Sequence, residues 1–338
     1  MKRFLTGVLA FLTTFCFMGC GDTSSSSIEM SGSDSSSSSV IGGGGSSDST
    51  NVLGSWEEIT SGFYKDLEQE KTYHVTNPNG LMTFGAIMND DIMARPQGYP
   101  STILKNSTLE IECDIDMTDK AWVPMQAIGV DGLVIDGNGY TIRSLSLSSE
   151  NNLSSADNES GTNKIGFIGE SRSNLTIKNL TFENAVAKDG LKWIAIVCGY
   201  HLDGALRLEN VDVKNSEIIG SFISDDSKRL GMLVGLTQFE RATLSLTLID
   251  CDVENCKISG YEAVAGLVGT LHQLTEFESR WTISNCSVKN CTFKMRTHNE
   301  KLMNTFAVSN YQVEVGNAYF EALGNTHFNN TLECGVFE

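Results

Sequence analysis

The chain has 338 residues, with 42 acidic and 24 basic side chains and a formal net charge of −18. An acidic excess of this size argues against nucleic acids, heparin-like polyanions and anionic membrane surfaces as partners. Seven of the nine cysteines follow residue 51. An odd number does not fit a complete framework of intramolecular disulfides, although an exported chain would permit one.

The first twenty residues have the pattern of an export signal. Lys2 and Arg3 precede an apolar run over residues 4–17, which is shorter than the roughly 20 residues that a transmembrane helix needs. The run leads into Gly19-Cys20, which resembles the lipobox of bacterial lipoproteins, where the cysteine is diacylated and becomes the new N-terminus. The resemblance implies a signal peptide over residues 1–19 and a lipid anchor at Cys20. The alternative is an ordinary cleaved signal followed by a chance cysteine.

Residues 20–51 contain the predicted lipidated cysteine and then almost only Ser, Gly and Asp. Such a segment cannot bury enough apolar surface to offset its ordering entropy, so it predicts a disordered linker with a reach of about 30 Å. We expect a monomeric domain over residues 52–338, anchored in the outer membrane of a Gram-negative bacterium on its surface or periplasmic face.

Residues 52–105 are expected to cover the N-terminal end of this domain. The stretch 73–76 predicts a short strand, and Asn77-Pro78 supplies an N-cap and a first-turn proline for a helix over residues 80–89. Four apolar residues form one face of that helix: Leu81, Phe84, Ile87 and Met88. Apolar and acidic residues then alternate from Leu109 to Met117, which predicts one strand with a buried face.

A short motif of alternating apolar residues occurs four times in the second half of the chain. The copies are Asn179–Ala185, Asn210–Ile218, Asp250–Ile258 and Ile283–Phe293. A structural row of asparagines follows from them, at intervals of 31, 40 and 35 residues: Asn184, Asn215, Asn255 and Asn290. Such intervals predict stacked repeats, with asparagine in a left-handed turn and its amide free to bond along the stack. The alternative for this row is sugar binding.

Several motifs together resemble the GLUG-type, pectate-lyase-like right-handed parallel β-helices of bacterial surface proteins. They are Asp114-Ile115-Asp116, Trp122-Val123-Pro124, Ile135–Ile142, Gly166-Phe167-Ile168-Gly169, Leu233-Val234-Gly235 and Gly266-Leu267-Val268-Gly269. The resemblance implies an all-β solenoid with a short N-terminal capping helix, coils over residues 106–294 and a C-terminal coil or cap over residues 295–338. Three short strands would close each coil. Members of this family are mostly adhesins, surface modules or uncharacterised proteins.

Four cysteines occupy two repeated positions, Cys251 with Cys286 and Cys256 with Cys291. Because Val211 fills the first position in an earlier copy, the pattern predicts small buried side chains stacked in a ladder. Parallel side-chain directions suit disulfide geometry poorly, and a row of sulfurs is not a tetrahedral zinc site. The sequence therefore predicts neither a metal nor a cofactor.

No catalytic residue is assigned, although polysaccharide lyases share the expected architecture. The candidate acids are Asp114, Asp116, Asp131, Asp136, Asp225 and Asp226. Two of them, at positions 114 and 116, would point to one face of a strand and could join a metal site, but no calcium-loop spacing accompanies them. A solvated outer face is the simpler interpretation. The five histidines share no motif: His74, His201, His272, His298 and His327.

These patterns favour non-catalytic binding or adhesion, with carbohydrate as a candidate ligand and the lipid bilayer as a partner through Cys20. Polar insertions at 148–164, 224–230 and 272–280 are candidate binding loops, because insertions in a repeat array project from its surface. The aromatic candidates for stacking on sugar are Trp56, Trp122, Trp193, Trp281, Tyr261 and Phe277. The alternatives are a β-helix polysaccharide lyase or glycoside hydrolase, and a structural spacer without a ligand.

Overall fold

The computed structural model describes residues 70–93, 104–148, 164–188, 192–220, 229–238, 244–272, 279–296, 303–309 and 318–334. The predicted signal peptide, Cys20 and the linker lie outside these residues. The described part of the chain is mostly β-structure and contains one helix. Within it, no helix has both the length and the apolar character that crossing a membrane requires.

The N-terminal elements are those that the sequence predicts. Strand β1 (Thr72–Val75) is followed by helix α1 (Pro78–Met93), which is longer than predicted at both ends. The Asn77 Oδ1 atom accepts a hydrogen bond from the Gly80 amide at 3.0 Å, as an N-cap does. All four predicted apolar residues of the helix are buried.

The strands form four sheets, and their paired neighbours run parallel. The first sheet contains β1, β2 (Thr108–Ile111), β3 (Ile115–Asp116), β5 (Leu133–Asp136), β6 (Thr141–Arg143), β10 (Leu175–Glu183), β14 (Ala205–Lys214), β18 (Ser245–Ile249), β19 (Asp252–Glu254), β23 (Ser279–Ser284), β24 (Ser287–Lys289), β28 (Ala318–Leu323) and β29 (Thr326–Phe328).

The three other sheets are smaller. The second sheet contains β7 (Ser146–Ser148), β11 (Val186–Lys188), β15 (Glu217–Ile219), β20 (Lys257–Gly260), β25 (Thr292–Met295) and β30 (Thr331–Cys334). The third contains β8 (Lys164–Ile165), β12 (Trp193–Ile194), β16 (Arg229–Gly231), β21 (Val264–Ala265) and β26 (Met303–Asn304). The fourth contains β4 (Met125–Ala127), β9 (Ile168–Ser171), β13 (Cys198–His201), β17 (Val234–Gln238), β22 (Val268–His272) and β27 (Ala307–Ser309).

Each repeat pairs with the next one, strand by strand. The five strands β18 to β22, over residues 245–272, pair in order with β23 to β27, and three of those continue to β28, β29 and β30. The prediction of three strands in each repeat is therefore wrong. The chain bends at an additional point in the apolar runs, where residues 266 and 267 separate β21 from β22.

The strand predicted over residues 109–117 also differs from the prediction. The single strand predicted over residues 109–117 is interrupted between β2 and β3. Asp114 accounts for the interruption, because its carboxylate accepts a hydrogen bond from the Thr141 amide at 2.9 Å and pairs with Arg143 at 2.8 Å. These contacts fix a corner in a segment whose alternating pattern alone would be continuous.

The core consists of columns of inward side chains from matching positions of successive repeats. One column in the first sheet joins Ile135, Ile177, Leu208, Leu248 and Ile283, all buried. At the C-terminal end the column on the second sheet reaches Leu332, which is 43% exposed. Helix α1 packs at the other end.

Helix α1 supplies hydrogen-bond partners for backbone groups at the edge of the fourth sheet. The buried side chain of Asn89 accepts a hydrogen bond from the Gln126 amide at 2.9 Å and donates one to the Pro124 carbonyl at 3.3 Å. These backbone groups belong to the first strand of the fourth sheet, β4, and its approach. An edge strand exposes unpaired backbone groups, so a helix that bonds to them protects this end of the sheet.

One inward column has a specific chemical requirement at three of its four positions. It runs through Ala185, Ser216, Cys256 and Cys291, immediately after a bend in the first sheet. The Ser216 hydroxyl donates to the Lys214 carbonyl at 2.7 Å, and the thiols of Cys256 and Cys291 are 3.2 and 3.1 Å from the carbonyl two residues before each of them. Serine and cysteine are therefore equivalent here as small side chains that hydrogen-bond across the bend.

Substitutions at Ser216 test this requirement. Its hydroxyl also accepts a hydrogen bond from the Ala185 amide at 3.0 Å, so Ser216→Ala leaves that buried amide without this partner, whereas the Lys214 carbonyl keeps the bond from the Asn184 amide at 3.1 Å. We expect a loss of about 1–3 kcal/mol in the free energy of unfolding by urea denaturation. Ser216→Cys should lose less than half as much. Exposed Ser146→Ala is the control, and equal losses for the Ala and Cys variants at 216 would contradict the interpretation.

Candidate functional site

The predicted row of asparagines lies at the bends of the first sheet. Asn184, Asn215, Asn255 and Asn290 have φ angles of 54°, 51°, 55° and 55°, and all four are exposed. Asn215 donates a hydrogen bond to Glu183 of the preceding repeat at 3.3 Å. The left-handed conformation suits asparagine better than most other residues and so accounts for its recurrence.

A second row of bends was missed in the sequence. Asn179, Asn210, Asp250 and Asn285 have φ angles from 51° to 54°, and Asn210 donates to Asn179 at 3.1 Å. The signal was present, because each repeat carries Asn or Asp five residues before the predicted asparagine. Both rows therefore consist of residues that allow the left-handed backbone conformation at a bend.

The ladder cysteines are buried and not joined by disulfides. A hydrogen bond with Cys286 and burial both raise the pKa of Cys251, and the equivalent contact with Cys291 and burial raise the pKa of Cys256. A thiol must lose its proton to act as a nucleophile or metal ligand. The arrangement therefore favours packing over reactivity at Cys251 and Cys256.

The candidate acids are engaged in structural contacts. A backbone hydrogen bond from Thr141 is the main cause that lowers the pKa of Asp114. Asp116 accepts from Thr118, and Asp136 pairs with Lys178 at 2.8 Å. Asp131 accepts a hydrogen bond from a backbone amide at 2.9 Å. The other two candidates, at positions 225 and 226, lie outside the described residues.

Glycines bring the third and fourth sheets into backbone contact. A Cβ atom on Gly199 would lie 2.7 Å from the Ile165 carbonyl oxygen, and one on Gly235 would lie 2.8 Å from the Ile194 nitrogen. A Cβ on Gly269 would meet the Leu230 nitrogen at 2.6 Å. Only glycine permits this approach, which explains the glycine at these three positions, including the second glycine of Gly266-Leu267-Val268-Gly269.

Where these two sheets meet, their polar and aromatic side chains converge. We call six of these residues the Trp193 cluster: Lys164, Glu170, Arg172, Trp193, Tyr200 and Gln238. Lys164 forms an ion pair with Glu170, and both side chains are almost fully buried. The half-exposed Arg172 binds the other Glu170 oxygen at 2.5 Å. Glu170 is thus held between two cations.

The aromatic part of the Trp193 cluster belongs to the next repeat. The rings of Trp193 and Tyr200 stack with centroids 4.4 Å apart and an interplanar angle of 17°. The Lys164 ammonium lies 5.3 Å from the Tyr200 ring centroid, and the Tyr200 hydroxyl donates to Gln238 at 3.3 Å. Tyr200 is buried, whereas Trp193 remains partly exposed.

The other tryptophans differ from Trp193. Trp122 and Trp281 are buried, and Trp122 stacks on Phe167 at 5.0 Å. Trp56 and Phe277 lie outside the described residues. The predicted insertion at 148–164 ends at Lys164 itself, which is the register partner of Trp193, while most of that insertion and of those at 224–230 and 272–280 is also outside the described residues.

Behind the Trp193 cluster, His201 is fully buried and its Nε2 atom lies 3.1 Å from the Ser245 carbonyl oxygen. Burial lowers the pKa of His201 to about 4, so the imidazole is neutral at neutral pH. Its register partners are Ser171 and Thr237, also buried. This inaccessible row supports the cluster without contacting solvent.

A separate groove of about 520 Å³ lies on the second sheet. Its charged lining residues are Glu217, Lys257, Lys294 and Glu333. Lys294 and Glu333 pair at 3.1 Å, so charges of both signs alternate along the groove. It has no aromatic lining residue, in contrast to the Trp193 cluster.

Comparisons with known proteins give little further information. No family model and no curated protein match the chain. Among solved structures it is similar to one described as a putative immunoglobulin A1 protease from Bacteroides ovatus, at 13% sequence identity and a TM-score of 0.37. The similarity covers 79% of this chain and 84% of the other. A TM-score this low transfers neither fold nor activity.

Proposed function

We propose that the chain is a lipid-anchored bacterial surface module whose domain is a right-handed parallel β-helix of the GLUG type, and that the Trp193 cluster binds carbohydrate without cleaving it. The fold proposal is supported by parallel pairing of each repeat with its neighbours in all four sheets. It is also supported by Gly199, Gly235 and Gly269, which allow the third and fourth sheets to touch.

The observation that carries the binding proposal is the stacked pair of Trp193 and Tyr200. Binding sites for small ligands combine apolar or aromatic surface with a few placed polar groups. The partly exposed indole supplies such a surface, and Arg172 supplies hydrogen-bond donors beside it. Sugar rings have apolar C–H faces and hydroxyl edges that match these two kinds of group.

The Trp193 cluster is also held rigidly. Tyr200 packs against Leu202 and Leu236, and Glu170 is fixed by contacts to Lys164 and Arg172. Binding costs conformational entropy when side chains must be ordered, and a site that is already ordered avoids much of that cost. Rigid placement therefore favours a binding surface over a loosely solvated patch.

The charge of the chain narrows the class of carbohydrate. With a formal net charge of −18, the protein repels polyanions at long range. Within the cluster the ion pairs set the charges of Lys164 and Arg172 against that of Glu170, which leaves an excess of one positive charge. Neutral glycans are therefore the proposed ligands in preference to uronate-rich or sulfated polymers.

A glycan-array screen of the full-length chain, followed by calorimetric titration of the best neutral glycan, tests this proposal. Trp193→Ala should weaken binding at least about tenfold, because aromatic contacts at binding hot spots commonly contribute more than 1 kcal/mol. Tyr140→Ala, which removes an aromatic side chain that is 38% exposed elsewhere, is the matched control. Unchanged affinity in the Trp193 variant would contradict the proposal.

The same screen, together with an assay for polysaccharide cleavage, separates the alternatives. Release of cleaved polysaccharide, lost on Lys257→Ala or Lys294→Ala, would favour an enzyme acting in the groove on the second sheet. Absence of binding to any glycan, with the far-ultraviolet circular dichroism of a folded β-protein, would favour the structural spacer. Binding that is lost on Trp193→Ala, without release of cleaved polysaccharide, would favour the proposal over both alternatives.

The lipid anchor has its own test. Cys20→Ser should move the protein from the membrane fraction to the soluble fraction, because the thiol is the only atom of this position that can carry the diacylglycerol. Cys16→Ser, four residues earlier and within the apolar run, is the matched control and should leave the protein in the membrane fraction. Membrane fractionation with unchanged partitioning of the Cys20 variant would contradict lipidation.

A further inference from the structure

Three side chains of the types that ligate metal ions lie close together on the first two strands of the first sheet. His74 on β1 is the register partner of Glu110 on β2. Glu112 follows two residues later, and its amide donates to the Val75 carbonyl at 2.9 Å, which extends the pairing of the two strands. Residues two apart on a strand point to the same face, so both carboxylates lie on the side of His74.

The distances among these side chains are short. The His74 Nδ1 atom lies 2.7 Å from a Glu112 oxygen and 3.5 Å from a Glu110 oxygen. One nitrogen and two carboxylate oxygens lie within 4.8 Å of one another. Metal–ligand bonds of about 2.0–2.2 Å place neighbouring ligands roughly 3–4 Å apart, so small side-chain rotations would bring all three into one coordination sphere.

The His74 nitrogen is not satisfied as an ordinary hydrogen-bonding group. Its Nδ1 atom is shielded from solvent and makes no hydrogen bond of acceptable geometry, despite the 2.7 Å approach of Glu112. The ring nitrogen is therefore directed towards the carboxylates but not aligned to donate to either of them. A cation between the three groups would satisfy this nitrogen and both oxygens.

Two basic side chains of the first sheet pair with other acids, and the charge of one of them, Lys178, also acts on Glu110. Lys178 pairs with Asp136 at 2.8 Å. Arg143 pairs with Asp114 at 2.8 Å and with Glu183 at 3.0 Å. Two neighbouring carboxylates repel each other unless a cation compensates them, and the His74 Nδ1 atom lies within 4 Å of an oxygen of each.

We propose that His74, Glu110 and Glu112 bind a divalent transition-metal ion, with water at the remaining coordination positions. An imidazole nitrogen with two carboxylate oxygens suits zinc and its neighbours in the first transition row, whereas calcium and magnesium prefer oxygen ligands alone. The bound ion would join β1 to β2 and so fasten the first strand of the sheet to the second. This inference is independent of the proposed carbohydrate site.

Zinc titration of the metal-stripped full-length chain tests the proposal. Titration calorimetry should show saturable binding of one zinc ion. Thermal denaturation should show a rise in Tm with zinc, because the ion binds the native state only. Magnesium added at the same concentration should raise Tm much less. Absence of a saturable zinc-dependent heat, or an equal rise in Tm with magnesium, would overturn the proposal.

Variants identify the ligands. His74→Gln and Glu112→Gln should each weaken zinc binding at least tenfold and remove the zinc-dependent rise in Tm. His327→Gln and Glu333→Gln alter an exposed histidine and a glutamate on the second sheet, and both variants should bind zinc as the unaltered chain does. If His74→Gln does not fold by circular dichroism, the Glu112 variant decides alone. Zinc affinity that persists in folded His74 or Glu112 variants would show that other residues bind the ion.

Discussion

Parallel backbone hydrogen bonding between successive repeats is the interaction on which the rest of this structure depends. A two- or three-residue strand such as β12 or β11 has too few contacts to be stable alone, yet each is bonded to a strand of the preceding repeat and one of the following repeat. Because almost all buried backbone groups must be paired, the repeats stabilise one another and the ends need separate protection. Helix α1 provides it at the N-terminal end through Asn89.

This dependence explains which features the sequence could reveal. A bend that recurs in every repeat needs the same backbone conformation each time, so asparagine recurs at Asn184, Asn215, Asn255 and Asn290 and is visible without a structure. The inward positions are similarly visible as recurring small or apolar residues. The N-cap at Asn77 and the apolar face of α1 follow from local rules and are confirmed.

Other features depend on contacts that leave no local pattern. The turns inside the apolar runs were not anticipated, because a glycine that touches another backbone looks in the sequence like a glycine in any loop. The interruption before β3 depends on Arg143 and Thr141, which are 27 or more residues away from Asp114. The function of serine and cysteine as hydrogen-bond donors at one inward position was likewise hidden, since packing alone explained a small side chain.

The candidate sites were the least predictable part. Lys164 and Trp193 are register partners on neighbouring strands, but insertions of unequal length separate the repeats and obscure their alignment. His74 and Glu110 are likewise joined across β1 and β2 by pairing over 36 residues, so their meeting required the strand register. In a stack of repeats, the side chains of a site meet along a register row, and residues of one row are far apart in the sequence.

Distances between spin labels along one outward row test the stacked arrangement most directly. Thr108, Thr247 and Glu321 belong to one register row of the first sheet, with Thr247 four strands and Glu321 six strands from Thr108. At a strand spacing of about 4.8 Å, pulsed electron paramagnetic resonance should give backbone separations near 19 Å and 29 Å. Labelling of the unsubstituted chain measures the background from native cysteines. Equal distances for the two pairs, or a longer pair that fails to exceed the shorter by about 10 Å, would contradict a parallel in-register stack.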